Sequence, residues 1–171
     1  MSVHHNVAYN CGEVEHDDKS ANSGLGLIIK GDGHVIYANT LFRSNYTGLC
    51  LPACVEPYKA WVHQYPRDPH QNSRSQVFNT ATSAEKGYPC SCHNGSAPHP
   101  PGGNQTAVRV LDVEAMRLVD WRNFEFWPAD AGSPLVDAGA VVPPYTDGFV
   151  GKAPDIGAYE LGGEKWVAGC P

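Results

Sequence analysis

The chain has 171 residues and a formal net charge of −6, and only 18% of its residues are charged. That length suits one ordinary domain, and the acidic balance argues against nucleic acid or an anionic membrane as partner. Gly (18) and Pro (14) are abundant, which fits a turn-rich all-β chain better than a helical one. No apolar run reaches the roughly 18–20 residues that a membrane helix needs.

The N-terminal half carries a weak repeat. Val3-His4-His5-Asn6-Val7-Ala8-Tyr9-Asn10-Cys11 is echoed by Val35-Ile36-Tyr37-Ala38-Asn39-Thr40-Leu41-Phe42-Arg43-Ser44-Asn45, with Asn39 over Asn6 and Phe42 over Tyr9. Each copy is followed by a Gly-Leu element, Gly24-Leu25-Gly26-Leu27 and Thr47-Gly48-Leu49. The polar stretch from Gly12 to Ser23 reads as an inserted loop; without it the period falls to about 22–23 residues, one coil of a parallel β-helix. Alternation in such a strand places Leu25, Leu27 and Ile29 on one face, and Gly26, Ile28 and Lys30 on the other. Asn6 and Asn39 then sit at bends that favour left-handed backbone, where their side chains can stack into a hydrogen-bonded ladder. An antiparallel hairpin sheet with an Asn in a turn is the simpler alternative.

Residues 52–105 have little period and many prolines, and read as a long irregular excursion. Tyr58, Trp61, Tyr65 and Tyr88 offer aromatic faces for sugar rings, with His63 and His70 nearby; equally, they pin the loop to the body. Six cysteines, Cys11, Cys50, Cys54, Cys90, Cys92 and Cys170, suggest a disulfide framework of undetermined connectivity. Cys90-Ser91-Cys92-His93 with Cys50 and Cys54 would supply enough zinc ligands, but the C-x-C spacing is shorter than a usual knuckle. Asn45, Asn94 and Asn104 head N-x-[ST] triplets, candidate glycosylation sites outside the cell. Glu15-His16-Asp17-Asp18 brings acids together as a glycosidase would, though adjacent acids on a polar loop are the mark of a solvated turn.

Towards the C-terminus stands Gly132-Ser133-Pro134-Leu135-Val136-Asp137-Ala138-Gly139, followed by Ala153-Pro154-Asp155-Ile156-Gly157-Ala158-Tyr159-Glu160. This pattern resembles the ending of many secreted right-handed parallel β-helix proteins, the pectate-lyase-like superfamily. The likeness is close over Asp120–Glu160 and loose over Val3–Leu51. It implies a single domain over 1–171 with a terminal coil or closing motif at 120–160. Asp137, Gly139, Asp155, Gly157 and Glu160 would be its structural residues, the carboxylates receiving backbone N–H groups or pairing with Arg122 or Lys152. No resident cofactor is expected; calcium held by the three carboxylates is chemically possible.

The first repeat is already under way at Val3, without signal-peptide character before it, so the chain reads as an N-terminally truncated piece of a secreted β-helix. The resemblance implies a polysaccharide or glycan as partner, through either a lyase or hydrolase parent or a non-catalytic adhesion module. The exposed basic candidates for proton abstraction beside a uronate are Lys30, His34 and Arg43. This segment alone is expected to be inactive.

Overall fold

The structure is a computed structural model that describes residues 1–11, 25–29, 31–44, 47–51, 74–83 and 104–166. Among these residues there are ten strands: β1 (Ser2–His4), β2 (Val7–Tyr9), β3 (Leu25–Ile28), β4 (Val35–Tyr37), β5 (Thr40–Phe42), β6 (Thr47–Cys50), β7 (Gln76–Thr82), β8 (Asn104–Val110), β9 (Leu118–Asp120) and β10 (Glu125–Pro128). All pairs among β1–β8 are parallel; only β9 and β10 run antiparallel. Among the described residues no helix is long and apolar enough to cross a membrane.

The main sheet is a stack of four rungs. β1 and β2 form the first, β4 and β5 the second, β7 the third and β8 the fourth. Val3 lies over Ile36 and Ile36 over Val77, so like residues stack along the axis. Each rung bends once, at a residue with left-handed backbone: His5 (φ 52), Ala38 (φ 50), Asn79 (φ 48) and Ala107 (φ 52). β3 and β6 form a second, two-stranded parallel sheet with Leu25 opposite Thr47. This is a parallel β-helix, and its coils differ in length because loops of different size leave between the same strands.

The asparagine ladder forms between the first two rungs. Asn39 Oδ1 accepts from the Asn6 backbone N–H (3.1 Å) and from Asn6 Nδ2 (3.0 Å), 33 residues away. Asn39 Nδ2 donates to the carbonyls of Tyr37 (2.8 Å) and Val3 (3.2 Å). The left-handed residue is the one before each Asn, not the Asn itself. In the third rung Thr80 takes the ladder position and donates to the Phe78 carbonyl, as Asn39 does to Tyr37. Asn39 is fully buried, so Asn39→Ala should cost about 2 kcal/mol, two net hydrogen bonds. Asn6→Ala, at the exposed end, should cost much less; equal losses in urea unfolding would refute a directional ladder.

The interior between the sheets holds Ile29, Ile36, Leu51 and Val77, with half-buried Val3, Leu27, Leu49 and Val108 packed against them. Ile28 points outward, 42% exposed, so the strand alternation read from the sequence holds for the described side chains of β3.

Two stretches differ from the sequence reading. Gln76–Thr82, inside the expected excursion 52–105, is the central strand of the main sheet, and β8 begins at Asn104. Their polar composition hides them, because Asn79, Thr80 and Thr82 are buried as hydrogen-bonding rung residues. Residues 120–160 do not add a further rung to β8. Instead they form the β9–β10 pair and a run of turns laid across the outside of the rungs. Pro134, Pro143, Pro144 and Pro154 lack an N–H for a ladder, and carboxylates take up several other N–H groups.

Candidate functional site

The closing segment is fastened to the rungs at two points. Asn79 Nδ2 donates to the Ala140 carbonyl (2.9 Å) and its Oδ1 accepts from Ala140 N–H (2.7 Å), while Gly157 N–H donates to the Asn79 carbonyl (2.9 Å). Thr40 Oγ1 accepts from Ala158 N–H at 2.9 Å. Gly157 has φ +121, and a Cβ there would meet Thr40 Oγ1 at 2.7 Å; one at Gly139 would meet the Pro154 carbonyl at 2.6 Å. Both positions therefore require glycine.

The three carboxylates of the motif bind backbone. Asp137 Oδ1 accepts from Lys152 (2.6 Å) and Ala153 (3.1 Å), and hydrogen bonds from Ala153 and Lys152 hold its pKa below the usual range. Asp155 accepts from Asp137 N–H and Leu161 N–H, each at 2.7 Å, and Glu160 Oε1 from Asp155 N–H at 3.0 Å. Burial pushes the pKa of Asp155 up, with the Asp137 charge adding to it. Burial also raises Glu160, aided by the charges of Asp155 and Asp137. Arg122 pairs instead with Glu114, at 2.9 Å. All three carboxylates accept backbone N–H groups in the turns of the closing segment.

The sign of their pH effect follows from linkage. A carboxyl whose pKa is raised by folding contributes stability below its unfolded value, and loses that contribution as pH rises through the folded value. His5, lowered by burial and then by the His4 charge, acts in the opposite sense. The clean measure is therefore a difference. Glu160→Gln keeps the acceptor for Asp155 N–H, and its melting temperature should gain on the wild type as pH rises from about 5 to about 8. A constant gap across that interval would contradict the buried-charge account.

On the outer face of the rungs, β2 and β5 present Tyr9 and Phe42, covered by Trp121 and Phe126 of the closing segment. Tyr9 packs at centroid distances of 5.2 Å on Phe42, 5.7 Å on Trp121, 5.9 Å on Phe126 and 6.3 Å on Phe124. Trp121 opens a 3₁₀ turn, Trp121–Asn123, capped by Asp120, whose carboxylate accepts from Arg122 N–H. The turn ends at Phe124, a left-handed residue (φ 64) that is 69% exposed. An exposed phenylalanine at such a position carries strain without burial to offset it.

Two cations stand over the indole. Arg43 Cζ lies 4.8 Å and Arg122 Cζ 3.9 Å from the Trp121 ring centroid. Arg43 is placed by a left-handed backbone (φ 51) and by its N–H, which donates to Ser83 Oγ at 2.8 Å. Trp121 Nε1 and Asn10 Oδ1 are buried with no hydrogen-bond partner, and both flank Tyr9. Buried polar atoms without partners are uncommon. Phe124 is thus the exposed ring of a platform whose indole, Trp121, is buried beneath Arg43 and Arg122, the latter ion-paired with Glu114.

A second aromatic row runs down β1, β4 and β7. His4 stacks on Tyr37 (4.7 Å, 14°) and Tyr37 on Phe78 (5.2 Å, 10°), with Tyr145 tilted against both. The Nδ1 atoms of His4 and His5 are 2.9 Å apart, so one ring donates to the other.

Of the basic residues singled out in the sequence, Arg43 belongs to the platform, while His34 sits before β4, at the other end of the second rung. The rung separates them, so they form no common site. Lys30 lies outside the described residues, as do Tyr58, Trp61, Tyr65, Tyr88, Asn45, Asn94, Cys54, Cys90, Cys92 and Cys170; Cys50 and Asn104 lie in strands, and their side chains are not described. Cys11 is a free thiol. Trp121, Phe124 and Arg122 were not distinguishable as site residues in the sequence, since their grouping with Arg43 depends on how the closing segment folds back.

No protein-family model matches the chain, and no curated protein matches it. Among solved structures it is similar to the crystal structure of pectate lyase Pel9A, with a TM-score of 0.50 and 16% identity. The match covers 93% of this chain and 44% of that one. At this identity the likeness concerns the fold, an all-β right-handed parallel β-helix.

Proposed function

We propose that this β-helix segment binds polysaccharide outside the cell, and that the Arg43–Trp121–Arg122–Phe124 platform receives an acidic sugar residue. The observation carrying this reading is the exposed, left-handed Phe124 beside an indole with two guanidiniums over it. A ring laid on Phe124 gains apolar contact, and a guanidinium pairs its carboxylate through parallel hydrogen bonds. The structural likeness to a pectate lyase agrees with a polysaccharide ligand. The segment acts here by binding, since Arg43 and His34 are apart and the carboxylates of the closing motif are engaged with backbone.

Affinity electrophoresis and calorimetry against polygalacturonate and a neutral galactan test this. The wild-type chain should prefer the acidic polymer, and Phe124→Ala and Arg43→Gln should each weaken it about tenfold, the equivalent of about 1.4 kcal/mol. Equal affinity for both polymers, or no effect of either variant, would overturn the assignment. Ultraviolet absorbance of an unsaturated uronate product, with and without calcium, separates the alternatives. Binding without product is expected; product would identify a lyase.

A further inference from the structure

The ion pairs of Arg74, Arg117 and Arg122 are built differently. Arg74 holds Asp32 through both its Nε and its backbone N–H, and Arg117 reaches both Asp130 and the Gly132 carbonyl. Arg122 holds Glu114 by one bond, Nη2 to Oε1 at 2.9 Å, and among the described residues neither side chain makes another hydrogen bond. Both side chains are mostly exposed, 63% and 68%. A singly bonded pair in that setting contributes little to stability.

Each partner is held in place without the other. The Arg122 guanidinium lies 3.9 Å from the Trp121 ring centroid, and the Arg122 backbone N–H donates to Asp120. Glu114 stands on the turn before β9, where its carbonyl accepts from Arg117 N–H. Met116, on the same turn, is fully buried, and its carbonyl accepts from Ser133 Oγ at 2.7 Å. Glu114 is therefore not needed to position Arg122. What it supplies is charge. Arg43 shares the same indole, so two guanidiniums stand over one ring and the Glu114 carboxylate offsets part of their repulsion. Asp120, the acid next to the indole, has both oxygens taken, by Arg122 N–H and by Asn123 Nδ2.

We infer that Glu114 is an internal competitor for the acidic sugar, its carboxylate occupying the Arg122 guanidinium until the ligand's carboxylate displaces it. This inference rests on the platform proposed above. A ligand carboxylate that meets the guanidinium squarely forms two parallel bonds where Glu114 forms one, and Trp121 keeps the guanidinium in place during the exchange. Glu114 thus sets how tightly the platform holds its ligand without touching the ring of Phe124.

Calorimetry against polygalacturonate tests this with Glu114→Gln, Arg122→Gln and the double variant. At about 0.15 M salt, charges more than about 8 Å apart are largely screened. All the altered side chains are exposed, and thermal melts close to the wild type's show that the variants fold. Glu114→Gln should bind about fourfold more tightly than the wild type, the equivalent of about 0.8 kcal/mol, and Arg122→Gln should bind more weakly. In the Arg122→Gln background the Glu114 change should have no effect, because no guanidinium is left to release. Unchanged affinity of Glu114→Gln, beside a wild type that binds and is weakened by Phe124→Ala, overturns the competitor and leaves the platform standing. Weaker binding also overturns it, since Glu114 would then be positioning Arg122. An equal gain in both backgrounds would mark general repulsion of the polymer and contradict exchange at Arg122. A wild type that does not bind removes the platform and the competitor together.

Discussion

Phe42→Ala is expected to destabilise the chain by about 3–5 kcal/mol, the range for removing a buried aromatic ring. Phe42 has no exposed surface and joins the two halves of the fold. It lies against Tyr9 in the neighbouring rung and against Trp121 (6.2 Å) and Phe126 (5.6 Å) of the closing segment. The cavity would open in the cluster that also holds Ala81, Met116, Leu118, Leu135 and Ile156, so neighbours fixed on both sides have little room to collapse into it. At roughly 2–4 °C per kcal/mol for a chain of this size, the melting temperature should fall by about 10 °C. Phe124→Ala, only three residues after Trp121 but exposed, should change stability by less than about 0.5 kcal/mol. Paired melts of these variants separate the ring that holds the fold from the ring proposed to hold a ligand.

Asp155→Asn should be the most damaging conservative change in the closing segment, costing about 3 kcal/mol. Both carboxylate oxygens of Asp155, a residue 2% exposed, accept a backbone N–H, from Asp137 and from Leu161. An amide offers one acceptor, so its NH₂ would face one of these donors and leave that N–H buried and unpaired. Asp137→Asn makes a useful contrast, because the two bonds to Lys152 and Ala153 use the same oxygen, Oδ1. It should be nearly silent in the same urea titration. If Asp155→Asn were equally silent, its carboxylate would not be what fastens these turns.

The sequence disclosed the helix where polar and apolar signals coincide. Asn6 and Asn39 each precede an alternating run ending in an aromatic residue, and the structure places them in one ladder. The Gly-Leu elements likewise became the paired strands β3 and β6, in a register that the sequence left open. The third rung was illegible because its chemistry is displaced by one residue: Asn79 takes the left-handed bend and Thr80 the ladder position. A pattern keyed to Asn before a strand passes over Phe78-Asn79-Thr80. The closing motif was legible as a device for turns, but its route was not, because Asn79 to Ala140 and Thr40 to Ala158 join residues far apart in sequence. The platform was hidden for the same reason. Arg43 drew attention as a base, and its position over Trp121 was not visible in the sequence.

The central claim is that the Asn-centred repeats are stacked rungs of a parallel β-helix, and scalar couplings across hydrogen bonds, measured by NMR, test it most directly. The account predicts couplings from Thr40 N–H to the Asn6 carbonyl and from Ala81 N–H to the Asn39 carbonyl, the same bond one rung apart. Couplings that instead join β4 to β5 as neighbouring antiparallel strands would contradict it, and the chain would be a hairpin sheet with asparagines in its turns.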